Sequence, residues 1–301
     1  MTVKIVTELD AWRHYMTHFD YTEKEASDGP SDSDSDNNGS ESDMVGETPR
    51  LPCLVGLNSK LESGVPVAAY PDSGTSMSLI SEDFAKKVGV RILRTSYMLY
   101  SPTDASIELL GAATIFVKVE GVSAKRLKVL VLKTTDDSED DELLIGYRDL
   151  ITLRVLAANF PNQVKNKEAP LLPHPYGNTK KTPYLTCSVS GKGTYGIGTI
   201  EVTVKAIPDT GCSGFSSISE NFAKKSGIEV LKTSFQYKQT KVLGLAWICI
   251  EIEDEIEDQI YKKRINKKVM VDNGIDDMLL CWKDLIDLGV LAKDFPKPAS
   301  E

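Results

Sequence analysis

Two tripeptides carry the chemistry this sequence offers: Asp72-Ser73-Gly74 and Asp209-Thr210-Gly211, each at the end of a hydrophobic run. A carboxylate on a tight turn can be held with its oxygens outward. Glycine has no Cβ, so backbone N–H groups and a facing carboxylate can come close. The Ser or Thr hydroxyl can hydrogen-bond across to an opposite turn and fix both loops. Two such turns facing one another would place their carboxylates about 3 Å apart; at an effective dielectric of about 20, full charges there repel by about 5 kcal/mol, or roughly 4 pKa units. Such a pair shares one proton over a wide acidic to neutral range. Its ionised member draws a proton from a bound water while its protonated member donates to a carbonyl. That chemistry requires no metal, histidine or covalent nucleophile.

The elements that must position these turns belong to an internal repeat. Tyr70-Pro71-Asp72-Ser73-Gly74-Thr75-Ser76 is echoed by Ile207-Pro208-Asp209-Thr210-Gly211-Cys212-Ser213. Ser81 to Gly89, around Phe84-Ala85-Lys86-Lys87, matches Ser219 to Gly227, around Phe222-Ala223-Lys224-Lys225. Thr95-Ser96-Tyr97 matches Thr233-Ser234-Phe235, and Leu110-Gly111 matches Leu243-Gly244. The run Leu143 to Ile151 matches Leu279 to Ile286, and the copies close on Asn159-Phe160-Pro161 and Asp294-Phe295-Pro296. Matched blocks in one order mean duplication.

Each copy reads as mostly strands. Val65 to Tyr70 and Ile200 to Ile207 are β-rich runs that end at the Asp turn, and Leu127 to Leu132 and Ala246 to Ile252 are β-rich as well. The Phe-Ala-Lys-Lys segment predicts a short helix closed by Gly89 or Gly227. A second helix is expected after Asp149 or Asp284, with Leu150, Leu153 and Leu156, or Leu285, Leu288 and Leu291, on one face. Trp282, Trp247 and Phe222 read as core.

The expected organisation is an N-terminal segment at 1–22, with helical spacing from Leu9 to Phe19, then an acidic disordered stretch at 23–50. Repeat 1 spans 51–161, a proline-containing linker 162–182, and repeat 2 183–298. Residues 23 to 47 hold nine acids against one base, which is −8 of the net charge of −9. The remainder is nearly neutral and has no basic bias to hold nucleic acid.

These blocks resemble the retropepsin-like aspartic proteases, particularly those of long-terminal-repeat retrotransposon polyproteins and their domesticated relatives. The shared pattern is a hydrophobic strand, Asp-Ser/Thr-Gly, a flap hairpin, then an aliphatic run followed by a helix. The resemblance covers about residues 52 to 161 and 183 to 296. It implies an all-β fold of two tandem β-barrel halves with short helices, paired as a pepsin-like pseudo-dimer. It implies Asp72 and Asp209 as the catalytic pair, Ser73 and Thr210 as cross-bonded hydroxyls, and Gly74 and Gly211 as close-approach residues, with Thr75 and Cys212 completing the turns. Ser101, Pro102, Thr103 and Asp104 would form the flap tip over a peptide or protein substrate. Three departures stand out: the position after the turn glycine, often alanine or serine in relatives, is Thr75 in one copy and Cys212 in the other; the aliphatic-block glycine, Gly146, becomes Cys281 in repeat 2; and the second flap is shorter.

Composition narrows the alternatives. At 41% hydrophobic and 26% charged residues, the chain as a whole is neither disordered nor coiled-coil. No apolar run approaches the roughly 18 residues of a membrane helix, and Met1 to Ile5 lacks the pattern of a secretory signal. Five cysteines without a Cys-x-x-Cys pair argue against a disulfide framework or a zinc site. His14 and His18 lack a third ligand, and Cys212 lacks a positioned histidine, so no metal and no cofactor are expected. The expectation is a soluble cytoplasmic aspartic endopeptidase. The rival readings are a catalytically inactive domesticated module that binds protein, and a retroelement polyprotein fragment in which each repeat homodimerises.

Overall fold

The computed structural model describes residues 3–6, 49–95, 97–100, 106–133, 143–161, 171–173, 181–192, 199–212, 215–232, 242–256, 259–273 and 278–298. The helix expected from Leu9 to Phe19, most of the acidic stretch 23–50 and the flap residues Ser101, Pro102, Thr103 and Asp104 lie outside them. In the first half the strands are β1 (Val3–Val6), β2 (Leu51–Gly56), β3 (Val65–Asp72), β4 (Leu79–Ser81), β5 (Tyr97–Tyr100), β6 (Ser106–Ile107), β7 (Leu109–Lys118), β8 (Lys125–Leu132) and β9 (Leu143–Gly146). The second half holds β10 (Leu171–Pro173), β11 (Lys181–Pro183), β12 (Leu185–Lys192), β13 (Thr199–Asp209), β14 (Ser217–Ser219), β15 (Gly244–Ile256), β16 (Gln259–Asp272) and β17 (Met278–Cys281).

Each repeat closes into a six-stranded barrel, ordered β2-β3-β9-β4-β8-β7 and β12-β13-β17-β14-β16-β15. The two orders are the same once corresponding strands are matched, as duplication requires. Closure comes from β2 against β7, with Val55 opposite Val117, and from β12 against β15, with Val189 opposite Ile250. Strand side chains alternate between faces, so Ala69, Ile80, Val131 and Ile145 fill the first interior while Ala206, Ile218, Val271 and Leu280 fill the second. Outside the barrels, β1 runs parallel to β5, β5 pairs antiparallel with β6, and β10 pairs with β11 within the stretch read as a linker.

The short helices have local causes. Ser81 and Ser219 accept the N–H groups of Phe84 and Phe222, and Gly89 and Gly227 close Glu82–Val88 and Glu220–Ser226 at φ of 78° and 63°. The later helices are shorter than their leucine spacing suggests. They span Tyr147–Thr152 and Trp282–Asp287. Leu153, Leu156, Leu288 and Leu291 are buried, but they reach the core from the turns beyond, where Arg154 takes φ of 59° and Gly289 φ of 74°. Trp247 is a correction to the expected core: it is 54% exposed, with the Lys268 ammonium 5.9 Å from its ring centroid.

One buried serine per repeat ties these pieces to the Asp turn. Ser78 Oγ accepts the Gly146 N–H at 3.1 Å and donates to Asp149 at 2.5 Å. Ser216 Oγ accepts the Cys281 N–H at 2.9 Å and donates to Asp284 at 2.5 Å. Each serine thereby fastens the strand leaving the turn to the aliphatic strand and to the helix after it. Ser78→Ala would orphan the Gly146 N–H and a buried carboxyl oxygen, and should cost about 1–3 kcal/mol per orphaned group in urea unfolding.

Candidate active site

β3 pairs parallel with β9 and β13 with β17, which seats Asp72 beside Gly146 and Asp209 beside Cys281 at the barrel ends. The two turns then meet. Ser73 Oγ donates to the Pro208 carbonyl at 2.6 Å and accepts the Thr210 N–H at 3.0 Å. Thr210 Oγ1 donates to the Pro71 carbonyl at 2.9 Å and accepts the Ser73 N–H at 2.8 Å. This set maps onto itself when the repeats are exchanged, the signature of a two-fold interface, here within one chain. Ser73 and Thr210 are both 0% exposed, so water cannot substitute for a lost bond.

The carboxyl groups sit immediately above this clasp. Asp72 Oδ1 accepts the N–H groups of Gly74 at 2.8 Å and Thr75 at 3.1 Å, and Asp209 Oδ1 accepts that of Gly211 at 2.9 Å. Asp72 and Asp209 are 4% and 1% exposed and lie close enough to raise one another's protonation. A Cβ on Gly74 would lie 3.0 Å from Asp209 Cγ, which is why this position takes glycine. Burial pushes the Asp72 carboxyl well above the usual carboxylate range. The Asp209 charge pushes it further, while the N–H groups of Thr75 and Gly74 pull the other way. The arrangement can hold one proton between two oxygen pairs screened from bulk solvent.

The remaining turn residues are structural neighbours of the dyad. Thr75 is 3% exposed, its carbonyl accepts the Tyr147 N–H at 2.8 Å, and its hydroxyl donates to the Met77 carbonyl at 3.4 Å. Cys212 is half-buried, with Sγ 3.6 Å from the Phe215 carbonyl. The flap tip lies outside the described residues, though β5 and β6, which flank it, pair with Leu99 opposite Ile107 and Tyr100 opposite Ser106.

Gly146 and Cys281 occupy matched positions with different surroundings. A Cβ on Gly146 would meet the Met77 backbone at 2.8 Å. In repeat 2 the path from Asp209 to the bridging Ser216 is one residue longer than that from Asp72 to Ser78, and Cys281 is seated there at 3% exposure. Burial pushes its thiol up to about 12.

Sequence reasoning missed the bridging pairs Ser78–Asp149 and Ser216–Asp284. The aspartates were visible as matched positions in Arg148-Asp149 and Lys283-Asp284, but the serines gain meaning only once β9 and β17 lie against the turns. In repeat 2 Lys267 adds an ammonium 3.0 Å from Asp284 and 2.9 Å from Asp287.

The chain is thus all-β, two closed six-stranded barrels of matched strand order joined at their Asp turns by reciprocal bonds. No protein-family profile and no curated protein matches the chain. Among solved structures it is similar to the retroviral protease-like domain of Ddi1 from Leishmania major, at 18% identity and a TM-score of 0.24, over 39% of this chain and 80% of that one. It is also similar to an aspartic proteinase from Irpex lacteus, at 11% identity and a TM-score of 0.38, over 78% of this chain and 88% of that one. At these identities and scores the likenesses assign neither a family nor an activity to this chain.

Two measurements check this geometry. Thr210→Val should destabilise the chain by about 1–3 kcal/mol for each orphaned partner, while Thr210→Ser should restore most of the loss. Asp72 titrates higher in the folded than in the unfolded chain, so the fold binds more protons. Its contribution is complete below the ordinary value of 3.8 and declines as pH rises through the raised one. Asp72→Asn should remove that decline, making the variant more stable relative to the parent as pH rises, read from urea midpoints across a pH series.

Proposed function

We propose that the chain is an aspartic-type endopeptidase whose nucleophile is a water held between Asp72 and Asp209. The ionised member of the dyad takes a proton from that water, and the resulting hydroxide attacks the peptide carbonyl carbon. The protonated member donates to the carbonyl oxygen, giving a neutral tetrahedral diol. Return of a proton from the diol to the dyad, and delivery of one to the amide nitrogen, breaks the C–N bond and releases acid and amine. The observation that carries this reading is the buried pair Asp72 and Asp209 brought together by the Ser73–Thr210 clasp, with the Asp72 carboxyl held above its usual range. A group poised to keep its proton where a free carboxyl would lose it supplies the acid, and its neighbour supplies the base.

The substrate in this reading is an extended peptide lying across the dyad, held by backbone hydrogen bonds and alternating side-chain pockets. Ser101, Pro102, Thr103 and Asp104 are assigned to contact it from above. One chain makes one site, because both carboxyls come from the same polypeptide.

Hydrolysis of a peptide library by the full chain, followed by mass spectrometry, tests the proposal. Asp72→Asn and Asp209→Asn should each lower kcat by about 10²–10⁴, and a statine-containing peptide should bind once per chain. Substantial activity in either single variant would show that the two repeats do not share a site. Statine binding without any cleavage by the parent chain would favour a protein-binding module.

A further inference from the structure

The two barrels differ in charge on the outer face made by their closing strands. In repeat 1 these are β2, β7 and β8, which hold Lys118, Lys125, Arg126 and Lys128 and no acid. In repeat 2 the matched strands β12, β15 and β16 hold five acids among six cations. Strand registers fix the correspondence. Lys118 stands opposite Leu54 and Arg126 opposite Phe116, as Glu251 stands opposite Ser188 and Asn266 opposite Cys249.

Residues two apart on a strand share a face, so Lys118, Phe116, Leu54 and Arg126 form one patch across β2, β7 and β8. Lys118 and Arg126 are exposed, while Phe116 and Leu54 are half-buried. Neither cation is paired with a carboxylate among the described residues. On the matched face of repeat 2 the charges are met in place, with Arg264 2.6 Å from Glu251 and Lys262 2.8 Å from Glu253. Like charges on adjacent strands repel, so the repeat 1 face favours an anion brought from outside its own strands.

The chain carries such an anion. Residues 23 to 47 hold nine acids against one base and lead into β2, which begins at Leu51. At up to ~3.3 Å per residue, the four steps from Glu47 to Leu51 already span roughly 13 Å. A tethered anion meets the face at a roughly millimolar effective concentration, whatever the concentration of the chain.

We infer that the acidic segment 23–47 docks in cis on the outer face of repeat 1, against Lys118 and Arg126, and withholds that face from other polyanions. Docking by charge requires no fixed conformation of the segment. Repeat 2, whose charges are matched within its own strands, does not compete for it. The inference stands apart from the endopeptidase reading.

Zero-length carbodiimide cross-linking of the full chain tests it, because the reagent joins an amine only to a carboxylate in contact with it. Peptide mapping of the monomer should find Lys118 joined to acids within 23–47, with Lys133 joined to Glu108, 2.9 Å apart, as the internal standard. In 1 M salt, where charges act over only about 3 Å, the Lys118 links should fall about tenfold. Arg126→Glu keeps the Lys118 amine and changes an exposed side chain; it should lower the links several-fold, and Arg126→Lys should restore them. With the nine acids each changed to the amide, Glu→Gln or Asp→Asn, poly-glutamate should bind about tenfold more tightly than to the parent. The inference is overturned by a formed standard without Lys118 links, by links unchanged in salt or in Arg126→Glu, or by no gain in poly-glutamate binding. Links confined to dimers would assign the face to a second copy, and equal yields at Lys118 and at Lys268 of repeat 2 would mean indiscriminate contact; either overturns it as well.

Discussion

Two carboxyl groups placed side by side, with only 4% and 1% of their residues exposed, are unfavourable on two counts: each is desolvated, and each repels the other's charge. Both penalties fall when one proton is shared. A doubly ionised pair at an effective dielectric of about 20 would repel by about 5 kcal/mol. The four bonds of the Ser73–Thr210 clasp contribute about 0.5–1.5 kcal/mol each, so their sum is comparable with that repulsion. The clasp therefore holds the lobes together comfortably with the dyad singly protonated, and would be strained by a second ionisation. A proton shared between the two carboxyls thus also lets the halves stay closed.

The clasp also explains why the turn sequence is so constrained where it is and so free elsewhere. Ser73 and Thr210 must each donate and accept, and both hydroxyl residues can do so. Pro71 and Pro208 lack N–H groups and offer only carbonyls, which the opposing hydroxyls use. Gly74 cannot gain a Cβ without meeting the Asp209 carboxyl. One position further on, the constraint relaxes: Thr75 engages its own repeat through Tyr147 and Met77, and Cys212 Sγ lies 3.6 Å from the Phe215 carbonyl of its own repeat. Gly146 and Cys281 differ because the loops that pack on them differ in length, so the loss of a glycine in repeat 2 is a local repacking and leaves the dyad geometry in place.

Much of this was legible in the sequence because duplication doubles every signal. The Asp turns, the capped helices at Ser81 and Ser219 and the aliphatic strands recur in order, and their partners in space are the same in both copies. What was illegible depends on pairing between segments far apart. Ser78 and Ser216 are ordinary loop serines until β9 and β17 lie beside them. Leu153 and Leu156 keep helical spacing yet pack from a turn, because burial rather than helix continuity fixed those leucines. Trp247 looked like core because it is large and apolar, but strand alternation sets it on the face opposite Ala246, where the aliphatic stem of Lys268 accompanies it.

Joining both halves in one polypeptide changes what selection can do with them. In a symmetric dimer every substitution appears in both halves at once, so an aspartate at the Asp272 position would be doubled. A covalent link makes pairing of the halves intramolecular and independent of chain concentration, and it lets each half vary separately. Leu79 and Leu132 on one side against Ser217 and Asp272 on the other are variation of that kind, since both pairs occupy matched registers while the clasp between Ser73 and Thr210 keeps its exchange symmetry. Symmetry is retained where two turns must grip each other, and it is lost at Leu79 against Ser217 and Leu132 against Asp272, which take no part in that grip.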